Sequence, residues 1–207
     1  MRCQPLATVS PASPAKNSRK KRKPLKGLAA GGSGRLILIT GRPSVGKTTL
    51  IRKVADSLSG RRLGGFYTEE MRVAGERHGF RLVTFDGRER VMARVGIRGP
   101  HRVGKYGVDV SAIDQLAESA LELRGETEIY LVDEIGKMEC FALKFVSAMR
   151  ALLDSQKLII ATIAQKGGGF IEEVRRRRDA LILEVTRENR DQLPEQVLAW
   201  LESAKRA

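Results

Sequence analysis

Residues 36–48, Leu-Ile-Leu-Ile-Thr-Gly-Arg-Pro-Ser-Val-Gly-Lys-Thr, decide how the chain is read. Leu36 to Thr40 form an unbroken β-prone apolar run of the kind buried on both faces of a sheet. The next eight residues, Gly41, Arg42, Pro43, Ser44, Val45, Gly46, Lys47 and Thr48, match G-x-x-x-x-G-K-[ST] at every fixed position. Leu50, Ile51, Val54 and Leu58 then share one face of a helix that ends at Gly60. Glycines let successive backbone N–H groups turn inward, and the helix dipole adds to their field, so this unit is a cradle for phosphate. Lys47 is placed to bridge β- and γ-phosphates and the Thr48 hydroxyl to ligate magnesium, with Thr49 completing the nucleotide-binding segment.

Working outward, buried-strand runs alternate with amphipathic helical patterns, which predicts an α/β fold with a largely parallel sheet and helices on both faces. Residues 65–97 break that rhythm. Short β-prone stretches there are separated by Ala74-Gly75 and Asp86-Gly87, which predicts a β-hairpin insertion. Ser111 is expected to open a helix carrying Ile113, Leu116, Ala117, Ala120 and Leu121, closed by Gly125. Glu128 to Val132, Leu158 to Ile163 and Leu181 to Val185 read as further strands. Met138, Phe141, Phe145, Met149, Leu152 and Leu153 recur at helical spacing and read as core. Phe170, Ile171 and Val174 mark another helix, and a last one starts near Pro194 with Val197, Leu198 and Leu201 inward.

Hydrolysis requires more than phosphate binding. Asp133 and Glu134 follow the apolar run Ile129 to Val132, so they are expected at the carboxyl end of a strand beside the phosphate loop. Asp133 there is placed to hold magnesium through its second coordination shell, while Glu134 is the candidate general base toward the attacking water. Charge gathering on the transferred phosphoryl group calls for a further cation. Arg98, Arg102 and Lys105, in a glycine-rich stretch, are the candidates. Arg175 to Arg178 read as a solvated helix face. His78 and His101 have no metal-like spacing, and two cysteines, Cys3 and Cys140, support neither a disulfide framework nor a thiolate metal site. That cysteine usage suits a reducing cytoplasm. No Asn/Thr-Lys-x-Asp element appears in the body, which argues against dedicated guanine recognition.

The net charge of +14 is unevenly spread. Residues 1–34 hold eight cations and no carboxylate, leaving 30 cations against 24 anions in residues 35–207. With four of the seven prolines and little apolar periodicity, residues 1–34 read as a disordered basic extension ahead of one domain spanning 35–207. Such a tail offers nucleic acid an electrostatic contact. No run approaches the roughly 18 apolar residues of a membrane span, and a monomer is the favoured assembly.

Several further segments accompany the phosphate loop: Gly65-Phe66-Tyr67-Thr68-Glu69-Glu70 with Arg72, Gly79-Phe80, Gly104 to Asp109, Asp133-Glu134-Ile135-Gly136-Lys137-Met138-Glu139, and Glu188-Asn189-Arg190. Over residues 35 to 203 this set resembles the P-loop nucleoside-triphosphatase family described as thermostable or, in its animal branch, cancer-related. The resemblance implies a RecA-like fold and magnesium-dependent hydrolysis of ATP, GTP, CTP and UTP to the diphosphate and phosphate. It carries phosphate binding onto Gly41 to Thr48 and sets the Asp133-Glu134 segment beside the nucleotide. The basic tail has no counterpart in that pattern, and Cys140 stands where leucine is frequent. Two other readings share the phosphate loop. One is a nucleotide or polynucleotide kinase with an acceptor site in residues 65–110; the other is a nucleotide-dependent module that binds nucleic acid through the tail.

Overall fold

The computed structural model describes residues 34–205, so the disordered-tail reading of residues 1–34 lies, save for Gly34, outside the described residues. The elements run β1 (Leu36–Thr40), α1 (Lys47–Ser57), β2 (Leu63–Val73), β3 (Glu76–Thr84), β4 (Glu89–Arg94), β5 (Arg102–Val103), β6 (Tyr106–Val108), α2 (Val110–Ala120) and β7 (Ile129–Ile135). A 3-10 turn (Glu139–Phe141) leads to α3 (Leu143–Leu153), β8 (Leu158–Ile163), α4 (Phe170–Arg175), β9 (Ala180–Glu184) and α5 (Leu193–Ala204). One nine-stranded sheet has the order β5-β6-β4-β3-β2-β7-β8-β1-β9. From the start of β2 through β9 every pairing is parallel; from β2 to β5 every pairing is antiparallel.

Strand periodicity explains why β1 is apolar throughout. Leu36 and Leu38 face one core with Phe66, Ile113, Phe145 and Ile171, under α2, α3 and α4. Ile37 and Ile39 face the other with Ile51, Val54, Val197 and Trp200, under α1 and α5. Alternate side chains of a strand point to opposite faces, so a strand covered on both sides loses the polar half of its pattern. Leu36 to Ile39 are each at most 3% exposed.

The insertion extends the main sheet. β2 pairs with β7 in parallel from Leu63 to Phe66 and with β3 in antiparallel from Phe66 to Val73, so one strand carries both regimes. The β2–β3 turn falls on Ala74 (φ 49°) and Gly75 (φ 83°), two positive angles in succession as a two-residue hairpin turn demands.

Several expected boundaries move. Asp109, two residues before Ser111, caps α2: its carboxylate accepts a hydrogen bond from the Ala112 N–H at 2.9 Å. That helix ends at Ala120, well before Gly125. The Tyr130 hydroxyl on β7 donates to the Glu122 carbonyl at 2.5 Å and accepts from the Arg124 N–H at 3.2 Å, which takes up backbone groups of the connection. Met138 and Phe141 keep company with the α3 core but not with its helix, because extended Ala142 (φ −91°, ψ 112°) separates the two. β9 starts and ends one residue earlier than the apolar run suggests. Among the described residues no helix is long and apolar enough to cross a membrane.

The Asp109 cap yields a test away from the phosphate loop. Asp109→Ala should cost about 1 kcal/mol, typical of a lost N-cap. Thermal melts should then show Tm lower by about 2–4 °C, as expected for a domain of this size, with phosphate release unchanged.

Candidate active site

Parallel pairing brings the carboxyl ends of β1, β7 and β8 to one edge of the sheet, with β8 between the other two. The phosphate loop leaves β1 there. Gly46 (φ 114°) turns the chain into α1, and a Cβ on Gly41 would stand 2.8 Å from the Val185 carbonyl oxygen, so neither position accommodates a side chain without strain. Ser44 is also held at positive φ (59°). α1 has no side-chain cap and no acid in its first turn, which leaves its dipole uncompensated for an incoming anion.

Asp133 and Glu134 lie at the carboxyl end of β7, as the apolar run before them suggests, with Ile135 closing the strand. Consecutive residues of a regular strand point to opposite faces. The register of β7 on β8 shifts between Val132 and Ile135, and with that irregularity both acids reach the phosphate loop. Asp133 is 1% exposed. Its Oδ2 accepts from the Thr48 hydroxyl at 2.6 Å and its Oδ1 from the Thr162 hydroxyl at 2.6 Å. Glu134 Oε2 sits 3.4 Å from Lys47 Nζ, which also donates to the Gly41 carbonyl at 3.1 Å. Burial pushes the Asp133 carboxyl above its ordinary range, opposed by the hydrogen bonds from Thr162 and Thr48. Burial likewise raises Glu134, opposed chiefly by the Lys47 ammonium.

A third carboxyl, absent from the candidates above, belongs to the same place. Glu139 opens the 3-10 turn after β7 and is 4% exposed. Burial, reinforced by the charges of Glu134 and Asp133, pushes it up to about 8. Its position among Met138, Cys140 and Phe141 makes that segment read as core, and the one signal in the sequence is an acid in an otherwise apolar turn. Cys140 beside it is pushed up to about 12 by burial and is therefore a poor nucleophile.

These groups line a cleft of about 1020 Å³ that runs from the phosphate loop to β2, β3 and β6. Of the phosphate-loop residues, Gly41, Pro43, Ser44, Gly46, Lys47, Thr48 and Thr49 border it; Arg42 is exposed elsewhere and Val45 packs into the core under α1. The cations on its walls are Lys47, Arg52, Arg77, Lys137 and Lys166. Arg98, Arg102 and Lys105 are not among them. Alternation on β5 turns Val103 toward the cleft and Arg102 outward, where it donates to the Ile97 and Lys105 carbonyls at 3.5 and 3.3 Å. Lys105 lies over the Tyr106 ring, 5.7 Å from its centroid. Arg52 pairs with Glu69 and Arg77 with Glu70, whereas Lys137 and Lys166 form no ion pair among the described residues.

The arginine run is also more engaged than a solvated face. Arg177 bridges Asp154 and Asp179 at 2.8 Å each, and Arg176 pairs with Glu172. Among the described residues no group of three or more His, Cys, Asp or Glu side chains could hold a metal by themselves.

The chain is similar in sequence and in fold to known proteins. A family model described as NTPase matches residues 36–198. The chain is 43% identical over 166 residues to the nucleoside-triphosphatase THEP1 of Thermotoga sp. (strain RQ2), covering 80% of this chain and 94% of that protein. It is 38% identical over 188 residues to the human cancer-related nucleoside-triphosphatase, covering 83% and 99%. The crystal structure of THEP1 from Aquifex aeolicus superposes with a TM-score of 0.73 at 37% identity, over 80% of this chain and 98% of that one. The chain belongs to the nucleoside-triphosphatase family.

Proposed function

We propose that the cleft binds a magnesium-complexed nucleoside triphosphate and hydrolyses it to the diphosphate and phosphate, accepting ATP, GTP, CTP and UTP. The observation that supports this most is the 2.6 Å hydrogen bond from Thr48 to Asp133, which joins the phosphate loop to the acidic strand. A hydroxyl and a carboxylate side by side suit a hard cation that takes few protein ligands and fills its shell with water and phosphate oxygens. Thr48 and Asp133 would hold it, and it would neutralise charge on the β- and γ-phosphates.

In this reading the loop amides and Lys47 grip the triphosphate. Lys47 exchanges its contact with Glu134 for phosphate oxygens, which frees a carboxylate oxygen to face water. The water oxygen bonds to the γ-phosphorus, its proton passes to Glu134, and the bond from the γ-phosphorus to the β,γ-bridging oxygen breaks with its electrons leaving on the diphosphate. Lys137 and Lys166, unpaired on the cleft wall, replace Arg98, Arg102 and Lys105 as the cations for transition-state charge. Binding concentrated on phosphates discriminates weakly among bases.

Phosphate release from the four triphosphates, with and without EDTA, tests the whole reading. The four rates should agree within about tenfold, and chelation should abolish all of them. Lys47→Ala should weaken triphosphate binding at least about tenfold in equilibrium titration. Glu134→Gln should keep that affinity and lose roughly 10²–10⁴-fold in kcat. Wild-type turnover in Glu134→Gln would remove that residue from the role of base.

A further inference from the structure

The two carboxylate oxygens of Glu134 have different surroundings. Oε2 faces Lys47 at 3.4 Å. Oε1 faces Gly136: a Cβ built on that glycine would lie 3.4 Å from Glu134 Oε1 and 2.8 Å from Glu139 Oε2. Two carboxyl groups therefore converge on one small gap, kept open because residue 136 has no side chain. The gap spans a direct hydrogen bond or one bridging water. Both groups cannot carry charge there cheaply, since Glu139 is buried and forms no ion pair among the described residues. Glu134 has Lys47, so the proton belongs on Glu139.

We propose that Glu139 is a positioning residue whose neutral carboxyl donates a hydrogen bond, directly or through one water over Gly136, to Glu134 Oε1 and so leaves Oε2 as the basic oxygen. The assignment rests on Glu134 being the base. It gives Glu134 a support that persists when phosphate draws Lys47 away, because the Glu139 contact lies on the opposite oxygen. Without it, the freed carboxylate would rotate in the cleft and the water would lose its aligned acceptor.

The charge environment agrees. Burial pushes the Glu139 carboxyl up to about 8, helped by the charges of Glu134 and Asp133 and opposed by the backbone N–H groups of Glu139 and Gly136. Two cations of the same cleft are otherwise engaged: Lys47 with Glu134 and Gly41, and Arg77 with Glu70. Lys137 on the preceding residues is exposed, the His101 ring lies against Phe141, and Asp114 of α2 accepts from the Lys144 and Phe145 N–H groups.

The test compares Glu139→Ala, Glu139→Gln and wild type in magnesium-dependent phosphate release. Glu139→Ala should lower kcat roughly 10- to 100-fold with KM changed less than about twofold, as for a lost hydrogen bond to a charged group. Glu139→Gln should recover most of that loss, since its amide N–H also donates. As pH rises through about 8 the wild type should lose kcat, whereas Glu139→Gln should hold its plateau to higher pH. The proton is also read without turnover. A carboxyl raised in the folded state gives stability that is full below the unfolded value near 4.5 and lost as pH rises through about 8. The Tm of Glu139→Gln relative to wild type should therefore climb between those limits. Should Glu139→Ala fail to fold, Gly136→Ala, which fills the gap with one methyl, should show the same kcat loss at unchanged KM. Wild-type kcat in Glu139→Ala or Gly136→Ala, no recovery in Glu139→Gln, or identical alkaline limbs would overturn the proposal. If Glu134→Gln still loses turnover in that case, the base assignment stands and only the role of Glu139 falls.

Discussion

A carboxylate buried to 1% exposure persists only if the fold supplies donors, and Asp133 draws them from three directions. Thr48 lies in the first turn of α1, Thr162 is the penultimate residue of β8, and the Thr68 N–H and hydroxyl on β2 reach its Oδ2 at 3.5 Å and its backbone carbonyl at 2.6 Å. Three threonines on three elements thus converge on one residue of β7. Strand order makes this possible, because β2 and β8 flank β7 and β1 delivers α1 from one strand further on. The active-site geometry and the packing of the sheet are, at this point, the same set of bonds.

How much of this could be read beforehand depends on which physical signal each part leaves. The phosphate loop and β1 were legible because their chemistry and their burial are both local: two glycines, a lysine and a hydroxyl at fixed spacing, behind a strand with no polar alternation. Asp133 and Glu134 were legible as a pair, since acids at the end of an apolar run are costly without a task. Their shared orientation was not, because it depends on the register of β7 against β8, a property of two segments. Glu139 was hidden for a related reason. Its neighbours Met138 and Phe141 satisfy a helical period, and only the extended Ala142 shows that the helix starts later.

The cations expected near the phosphate illustrate the same limit from the other side. Composition marks Arg98, Arg102 and Lys105 as a flexible basic stretch, yet on β5 alternation assigns the inward place to Val103. Lys137 and Lys166 look unremarkable as isolated residues. They matter because each follows a strand, β7 and β8 respectively, whose carboxyl end is fixed beside the phosphate loop. For charged surface residues, topology decides proximity, and charge density along the chain does not.

The insertion has a consequence for the cleft as well. Had β3 to β6 formed a separate layer, the wall opposite the phosphate loop would move with a hinge. Instead β2 is shared: its first residues pair with β7 and its remainder with β3, so Glu69, Glu70 and Arg77 are carried on the same continuous sheet that holds Asp133. The cleft is therefore bounded on that side by the main sheet itself, while at the loop the Lys47 ammonium touches both the Gly41 carbonyl and the Glu134 carboxylate.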